Sequence, residues 1–86
     1  MKASDLIVSE CDTIKAMLLM KNTAYGNSAL EPTRIFSQAN SVEQLLVRID
    51  DKLSRIRSTG LDTSGGEDAV LDLIGYLILL RIALKN

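Results

Sequence analysis

The chain of 86 residues contains no histidine and a single cysteine, Cys11. Without histidine it can form neither a Ser-His-Asp triad nor a histidine-ligated metal site. One cysteine excludes an internal disulfide and a cysteine metal site. Aromatic residues are also scarce, at 3% of the chain. The first candidates for a functional site are therefore acidic and basic side chains.

Neither charge nor hydropathy is strongly biased along the chain. The formal net charge of −1 gives no overall attraction to nucleic acid, so groove binding to DNA or RNA is not expected. The longest uncharged hydrophobic run, 73–80, is far shorter than the roughly 20 residues that span a bilayer. Acidic residues at Asp5, Glu10 and Asp12 do not fit a secretory signal. We therefore expect a cytoplasmic protein with no membrane partner.

The chain is rich in aliphatic residues for its length, with 47% hydrophobic residues. Its size allows one domain, which we assign to residues 1–86. A chain this short buries only about 60–65% of the surface that it exposes when unfolded, so a monomer is marginally stable. We therefore expect the protein to form a homo-oligomer.

Three stretches show the periodicity of helices. The first covers about residues 4–21 and the third about 64–84, where it opens with a capping-box pattern. The second covers about 41–58, with Ser41 as N-cap, and has an apolar seam: Val42, Leu46, Ile49, Leu53 and Ile56. These patterns predict an all-α, three-helix domain with a long antiparallel hairpin of helices two and three, assembled into a homo-oligomer.

Two charged segments, 48–55 and 67–72, lie on either side of the glycine-bearing loop that precedes helix three. In an antiparallel hairpin, Asp72 comes within about one helical turn, ~5 Å along the axis, of bases and acids on helix two. Those neighbours are Asp51, Lys52 and Arg55. The sequence therefore predicts a charged constellation between the two helices.

This constellation has three interpretations. Asp72 can form an ion pair with Lys52, Arg48 or Arg55, because an unpaired carboxylate in apolar surroundings is costly. The acids can instead bind Mg²⁺, which prefers carboxylate and water oxygens; the candidate ligands are Asp51, Glu67, Asp68 and Asp72. The intermixed bases neutralise these acids and fit a phosphate-bearing ligand better than a metal ion.

The stretch 22–40 has no periodicity and contains a second candidate site. Tyr25 offers a ring able to stack on a base, or it lies under the loop beside the end of helix one. Phe36 is expected to anchor this loop on the core, to which Met17 and Tyr76 are also assigned. Together with the bases of helix two, the stretch gives the predicted ligand-binding residues: Lys21, Asn22, Tyr25, Gly26, Asn27, Ser28, Arg48, Lys52 and Arg55.

Several short motifs, in this order, resemble the nucleotide modification associated domain 1 family, which consists of small proteins frequent in phages and prophages. They are Lys21-Asn22 followed by Tyr25-Gly26-Asn27-Ser28, then Arg48-Ile49-Asp50-Asp51-Lys52-Leu53 with Arg55, then Glu67-Asp68 with Leu71-Asp72-Leu73-Ile74-Gly75-Tyr76. The resemblance covers about residues 20–80. It implies an association with nucleotide metabolism or modification in the cytoplasm of a bacterial host, and no proven reaction.

A more distant resemblance is to the all-α nucleoside triphosphate pyrophosphohydrolases of the MazG type. Those enzymes place Glu-x-x-Glu and Glu-x-x-Asp motifs on successive helices and bind Mg²⁺. Here Asp72 matches the final aspartate, but Ala69 and Arg48 stand where that pattern has acids. This departure weakens hydrolysis as a function. It does not weaken nucleotide binding, because an arginine can contact phosphate directly.

The leading hypothesis is a phage-type nucleotide-binding protein without catalysis and without a cofactor. It would sequester a nucleotide signal of host defence or serve modified-nucleotide metabolism. One alternative is a Mg²⁺-dependent nucleoside triphosphate pyrophosphohydrolase that uses the four acids as ligands. The other is a protein-binding inhibitor of a host complex, whose apolar third helix docks on its partner.

Overall fold

The computed structural model describes residues 2–85 and contains three helices, α1 (Ala3–Tyr25), α2 (Ser41–Thr59) and α3 (Ala69–Lys85). No strand occurs in the described residues, so the predicted all-α class is confirmed. α2 packs closely against α3. None of the helices within residues 2–85 combines the length and the hydropathy needed to cross a membrane.

α1 is longer at its C-terminal end than the periodicity indicated. It ends at Gly26, which adopts the left-handed conformation (φ 59°) and donates its N–H to the carbonyl oxygen of Asn22. Asn27 is also left-handed (φ 65°), and its Oδ1 accepts a hydrogen bond of 2.7 Å from Asn22 Nδ2. Glycine and asparagine tolerate this conformation at a helix end. Tyr25 therefore belongs to the last turn of α1 rather than to a free loop.

The caps of α2 and α3 correct two predictions. Asn40, not Ser41, is the N-cap of α2, because its Oδ1 accepts a 2.9 Å hydrogen bond from the N–H of Glu43. The third helix does not open at residues 64–67. It begins after Asp68, whose Oδ1 accepts a 2.9 Å hydrogen bond from Leu71 N–H in the manner of an N-cap. Asp68 thus stabilises the N-terminus of α3.

The core is small, and α3 is at its centre. The buried apolar side chains of the described residues are Ile14, Leu45, Ile49 and Ala83. α1 rests on α3 at Gly75, where a hypothetical Cβ would lie 3.1 Å from Leu18 Cδ2. No Cα atom of α1 comes within 8 Å of a Cα atom of α2. The three helices therefore leave a groove between α1 and α2, with α3 as its floor.

Three predicted core positions are exposed. The apolar seam of α2 is centred on Leu45 and Ile49, so Leu46 and Leu53 lie on its flank with 38% and 49% of their surface exposed. Phe36 is 94% exposed and does not anchor the loop on the core, because residues 31–40 form no helix and pass outside it. Of the predicted seam, Ile49 is buried and Val42 and Ile56 are partly buried, so the prediction was wrong at Leu46 and Leu53 only.

Candidate ligand-binding groove

The groove contains a cavity of about 360 Å³, within the range of roughly 300–1,000 Å³ that small-molecule sites occupy. Its polar lining comes from all three helices and from the turn after α1: Lys21, Asn22, Tyr25, Ser28, Arg48 and Asp72. Its apolar surfaces include Met17, Leu18, Tyr76 and Leu79. Residues from both candidate sites that were predicted separately from the sequence thus line one cavity.

Asp72 lies in the first turn of α3 at the centre of the charged lining. Its Oδ1 is 3.5 Å from Lys21 Nζ on α1, and its Oδ2 is 3.2 Å from Lys52 Nζ on α2. Lys52 was among the predicted partners, whereas Lys21 was not. The carboxylate therefore links all three helices, and the ion-pair interpretation of Asp72 agrees with this geometry.

Lys52 is the centre of a network on the side of α2 that faces α3. Its side chain, 19% exposed, donates to Glu67 Oε1 and to Asp72, and Arg55 Nη1 lies 2.9 Å from Glu67 Oε2. The hydrogen bond to Glu67 is the largest cause that raises the pKa of Lys52 above its ordinary value, while desolvation acts in the opposite direction. Of the three predicted phosphate ligands on α2, Lys52 and Arg55 are thus engaged within the chain.

Arg48 differs from these two bases. It is exposed and lines the cavity, and it forms no ion pair with any residue of the described range 2–85. With Tyr76 of α3 it also borders a second hollow of about 470 Å³, which Asp51, Lys52 and Arg55 line as well. Arg48 is therefore the cation of the lining that is free to meet a ligand.

Only some of the predicted ligand-binding residues at the end of α1 and in the turn after it line the cavity. Tyr25, 68% exposed, and Ser28 face the cavity, whereas Gly26 and Asn27 do not line it. The latter two supply the left-handed backbone that directs residues 28 and 29 toward the cavity. Asn22 lines the cavity while its amide is fixed by Asn27.

Sequence reasoning missed the apolar part of the lining. Met17 and Tyr76 were assigned to the core, and Leu18, Gly75 and Leu79 were not predicted to line a site. The available signal was Gly75 inside an otherwise aliphatic helix, since a glycine there is unfavourable unless another element approaches closely. It marks the place where α1 lies on α3.

The four predicted magnesium ligands have separate positions. Glu67 and Asp72 share Lys52, Asp68 caps α3, and the exposed Asp51 borders the second hollow. Across residues 2–85, no three acidic, histidine or cysteine side chains are grouped so as to hold a metal ion. The magnesium site stays a prediction from the sequence.

No protein-family model, curated protein or solved structure matches the chain. The resemblance to the nucleotide modification associated domain 1 family therefore stays a prediction carried by the short motifs alone.

Proposed function

We propose that the groove between α1 and α2 binds a nucleotide, or another small molecule with phosphate beside an aromatic ring, and that the protein binds it without catalysis. The observation that carries this proposal is Arg48. Its guanidinium has no ion pair within residues 2–85 and faces the same cavity as the ring of Tyr25. An unpaired arginine beside an aromatic ring is suited to phosphate and base together.

The charges of the lining favour an anion. Lys21 and Arg48 supply two cations against the single carboxylate of Asp72. The pair between Lys21 and Asp72 is long, at 3.5 Å, and the lysine side chain is 48% exposed, so this pair contributes little stability. Lys21 can therefore turn toward a phosphate at small cost, while Lys52 continues to neutralise Asp72.

The remaining lining suits a base. Met17, Leu18 and Leu79 provide apolar surface, and the rings of Tyr25 and Tyr76 provide faces on which a base stacks. Asn22 Nδ2 donates to Asn27, which leaves the side-chain oxygen of Asn22 as an acceptor for a base edge. Such a site would bind both the phosphate and the base of a nucleotide.

We propose binding without catalysis because two of the acids predicted to bind Mg²⁺ already have partners within the chain. Glu67 accepts from Lys52 and Arg55, and Asp68 accepts from the backbone of α3, so both have structural partners. Binding alone is sufficient for either role that the family resemblance implies, which are sequestration of a nucleotide signal of host defence and service in modified-nucleotide metabolism. The homo-oligomer expected from the chain's size is the state in which we propose that the ligand is bound.

The proposal is tested by calorimetry with a panel of nucleoside mono-, di- and triphosphates and cyclic oligonucleotides. For whichever of these binds, Arg48→Ala should weaken the affinity by roughly tenfold to a hundredfold, the effect of losing a charge-assisted hydrogen bond. Arg57→Ala is the matched control, because Arg57 is exposed on the same helix and lines none of the described cavities.

Two results would contradict the proposal. One is the absence of binding heat for every member of the panel. The other is an equal loss of affinity in Arg48→Ala and Arg57→Ala, which would indicate general electrostatic attraction rather than a site at the groove.

A further inference from the structure

The chain exposes more surface than a folded monomer of its mass. Its accessible surface is 6660 Å², whereas a compact protein of 9.4 kDa exposes roughly 5,000 Å². The excess is about 1,600 Å² on this scaling. Much of it is apolar, because the exposed fraction of many large aliphatic side chains exceeds one third. A surface of this kind requires an explanation.

One part of this apolar surface is regular. On α2, Leu46 and Leu53 are seven residues apart and are 38% and 49% exposed. On α3, Val70, Leu77 and Leu84 follow at intervals of seven and are 41%, 44% and 65% exposed. An interval of seven places residues on one line along a helix, as in the seam of a coiled coil. We call these five side chains the back face.

The back face lies opposite the groove. Leu77 is two residues from Gly75, which is about 200° around α3, and Gly75 is where α1 rests. On α2, Leu46 is likewise about 200° from Arg48, which lines the cavity. Because α2 and α3 pack closely together, their two stripes form one apolar surface turned away from α1. The five side chains carry no charge, the exposed Asp50 lies between Leu46 and Leu53 on the same side of α2, and the groove side of the two helices holds Arg48 and Asp72.

We infer that a second copy of this chain covers the back face. The excess of about 1,600 Å² belongs to the whole chain, of which the back face is one part, and it lies within the share of one subunit in an obligate homodimer, which buries roughly 2,000–5,000 Å² in total. Two identical faces with heptad spacing on both helices interdigitate around a two-fold axis and give a four-helix bundle. The groove of each copy stays open on the outside of this dimer, so the inference does not depend on the identity of the ligand.

Sedimentation equilibrium of the purified chain tests the inference directly. The wild-type protein should sediment as a dimer, and Leu77→Glu should sediment as a monomer with its helical circular dichroism retained. Leu19→Glu is the matched control, because Leu19 is also an exposed leucine, at 59% against 44% for Leu77, and lies on α1 outside the back face. A monomeric wild type, which would leave this face to a different protein, overturns the inference, and so does a dimeric Leu77→Glu.

A second experiment remains decisive if Leu77→Glu fails to fold. In a Cys11→Ser background, Leu77→Cys should be joined to its partner copy by a short bismaleimide, because the two-fold axis brings equivalent seam positions together. Leu19→Cys in the same background should stay unlinked. Equal crosslinking of the two variants, or none at position 77, would overturn the placement of the interface.

Discussion

Lys52 is the residue on which the ion-pair network between α2 and the start of α3 depends. Its ammonium group is shared by the carboxylates of Glu67 and Asp72, which belong to the loop before α3 and to the first turn of that helix. Without the lysine, Glu67 and Asp72 would each keep only one more exposed partner, Arg55 and Lys21 respectively. Removing one partner of such a network costs more than the pair itself contributes. Lys52 therefore holds the start of α3 against α2.

Replacing Lys52 by methionine keeps much of the side-chain volume and removes the charge. We expect Lys52→Met to lower the free energy of unfolding by about 1–2 kcal/mol, a range reduced for partial exposure of the network. Urea denaturation at neutral pH measures it. Lys15→Met is the control, because Lys15 is exposed on α1 and has no ion pair within residues 2–85. Equal stability of the two variants would contradict this role of Lys52.

The same variant has a defined pH dependence. The pKa of Lys52 is raised in the folded state above 10.5, mainly by its hydrogen bond to Glu67. A raised pKa contributes stability that is fully present below 10.5 and is lost as the pH rises through the folded-state value. The stability difference between wild type and Lys52→Met should therefore be constant near neutral pH and shrink above pH 10.5. A difference that grows in alkali would contradict the assignment.

At the scale of the helices, the site exists because Gly75 allows α1 to approach α3. Leu18 Cδ2 and Met17 Cε lie 3.1 Å and 3.4 Å from the position of a Cβ at this glycine. A small side chain could be accommodated by movement of these flexible ends. A long side chain would push α1 away from the floor of the groove. The depth of the cavity thus depends on Gly75, which has no side chain with which to contact a ligand.

Gly75→Leu tests this dependence. Overpacking should lower the free energy of unfolding by roughly 1–3 kcal/mol, although leucine has the better helix propensity, and ligand binding should be lost with the cavity. Urea denaturation and calorimetry measure the two effects. Gly65→Leu is the control, because nothing lies within 4 Å of a Cβ there and its φ is not positive. Unchanged binding in Gly75→Leu would show that α1 does not form a wall of the site.

The sequence allowed the helices to be predicted more completely than their contacts. Periodicity placed α1, α2 and α3 to within a few residues, because each has enough apolar residues at helical spacing. It could not choose between Asn40 and Ser41 as the cap of α2, since both side chains are able to accept the hydrogen bond. It also placed Leu46 and Leu53 in the core, because periodicity does not say which neighbour covers which flank.

The site was predictable where it depends on neighbouring elements of the chain. The contact of Lys52 with Asp72 follows from pairing two helices across a short loop. The contact of Lys21 with Asp72 does not, because it requires the position of α1, which a non-periodic stretch of 15 residues separates from α2. Arg48 could be identified as a base on the right face, whereas its lack of an ion pair became visible only in three dimensions.

At the scale of the whole molecule, the groove separates α1 from α2, and these two helices pack against α3 to different extents. α2 and α3 pack closely, whereas α1 contacts α3 alone and does not approach α2. Contacts of this kind leave α1 with the smaller share of buried apolar surface, and local opening is easiest where that share is small. A ligand between Lys21 and Arg48 would add a connection that the chain itself does not make.

Ligand binding should therefore stabilise α1 more than the other two helices. Hydrogen exchange followed by mass spectrometry, with the nucleotide that binds best in calorimetry, should show slower exchange for peptides that cover residues 17–29. Peptides from the interior of α2 should change little, because that helix is already packed on α3. Arg48→Ala at the same nucleotide concentration should show no added protection, since the connection from α2 is gone. Protection confined to the loop 60–68 would instead place the ligand at the hollow lined by Asp62 and Ser64, away from the groove.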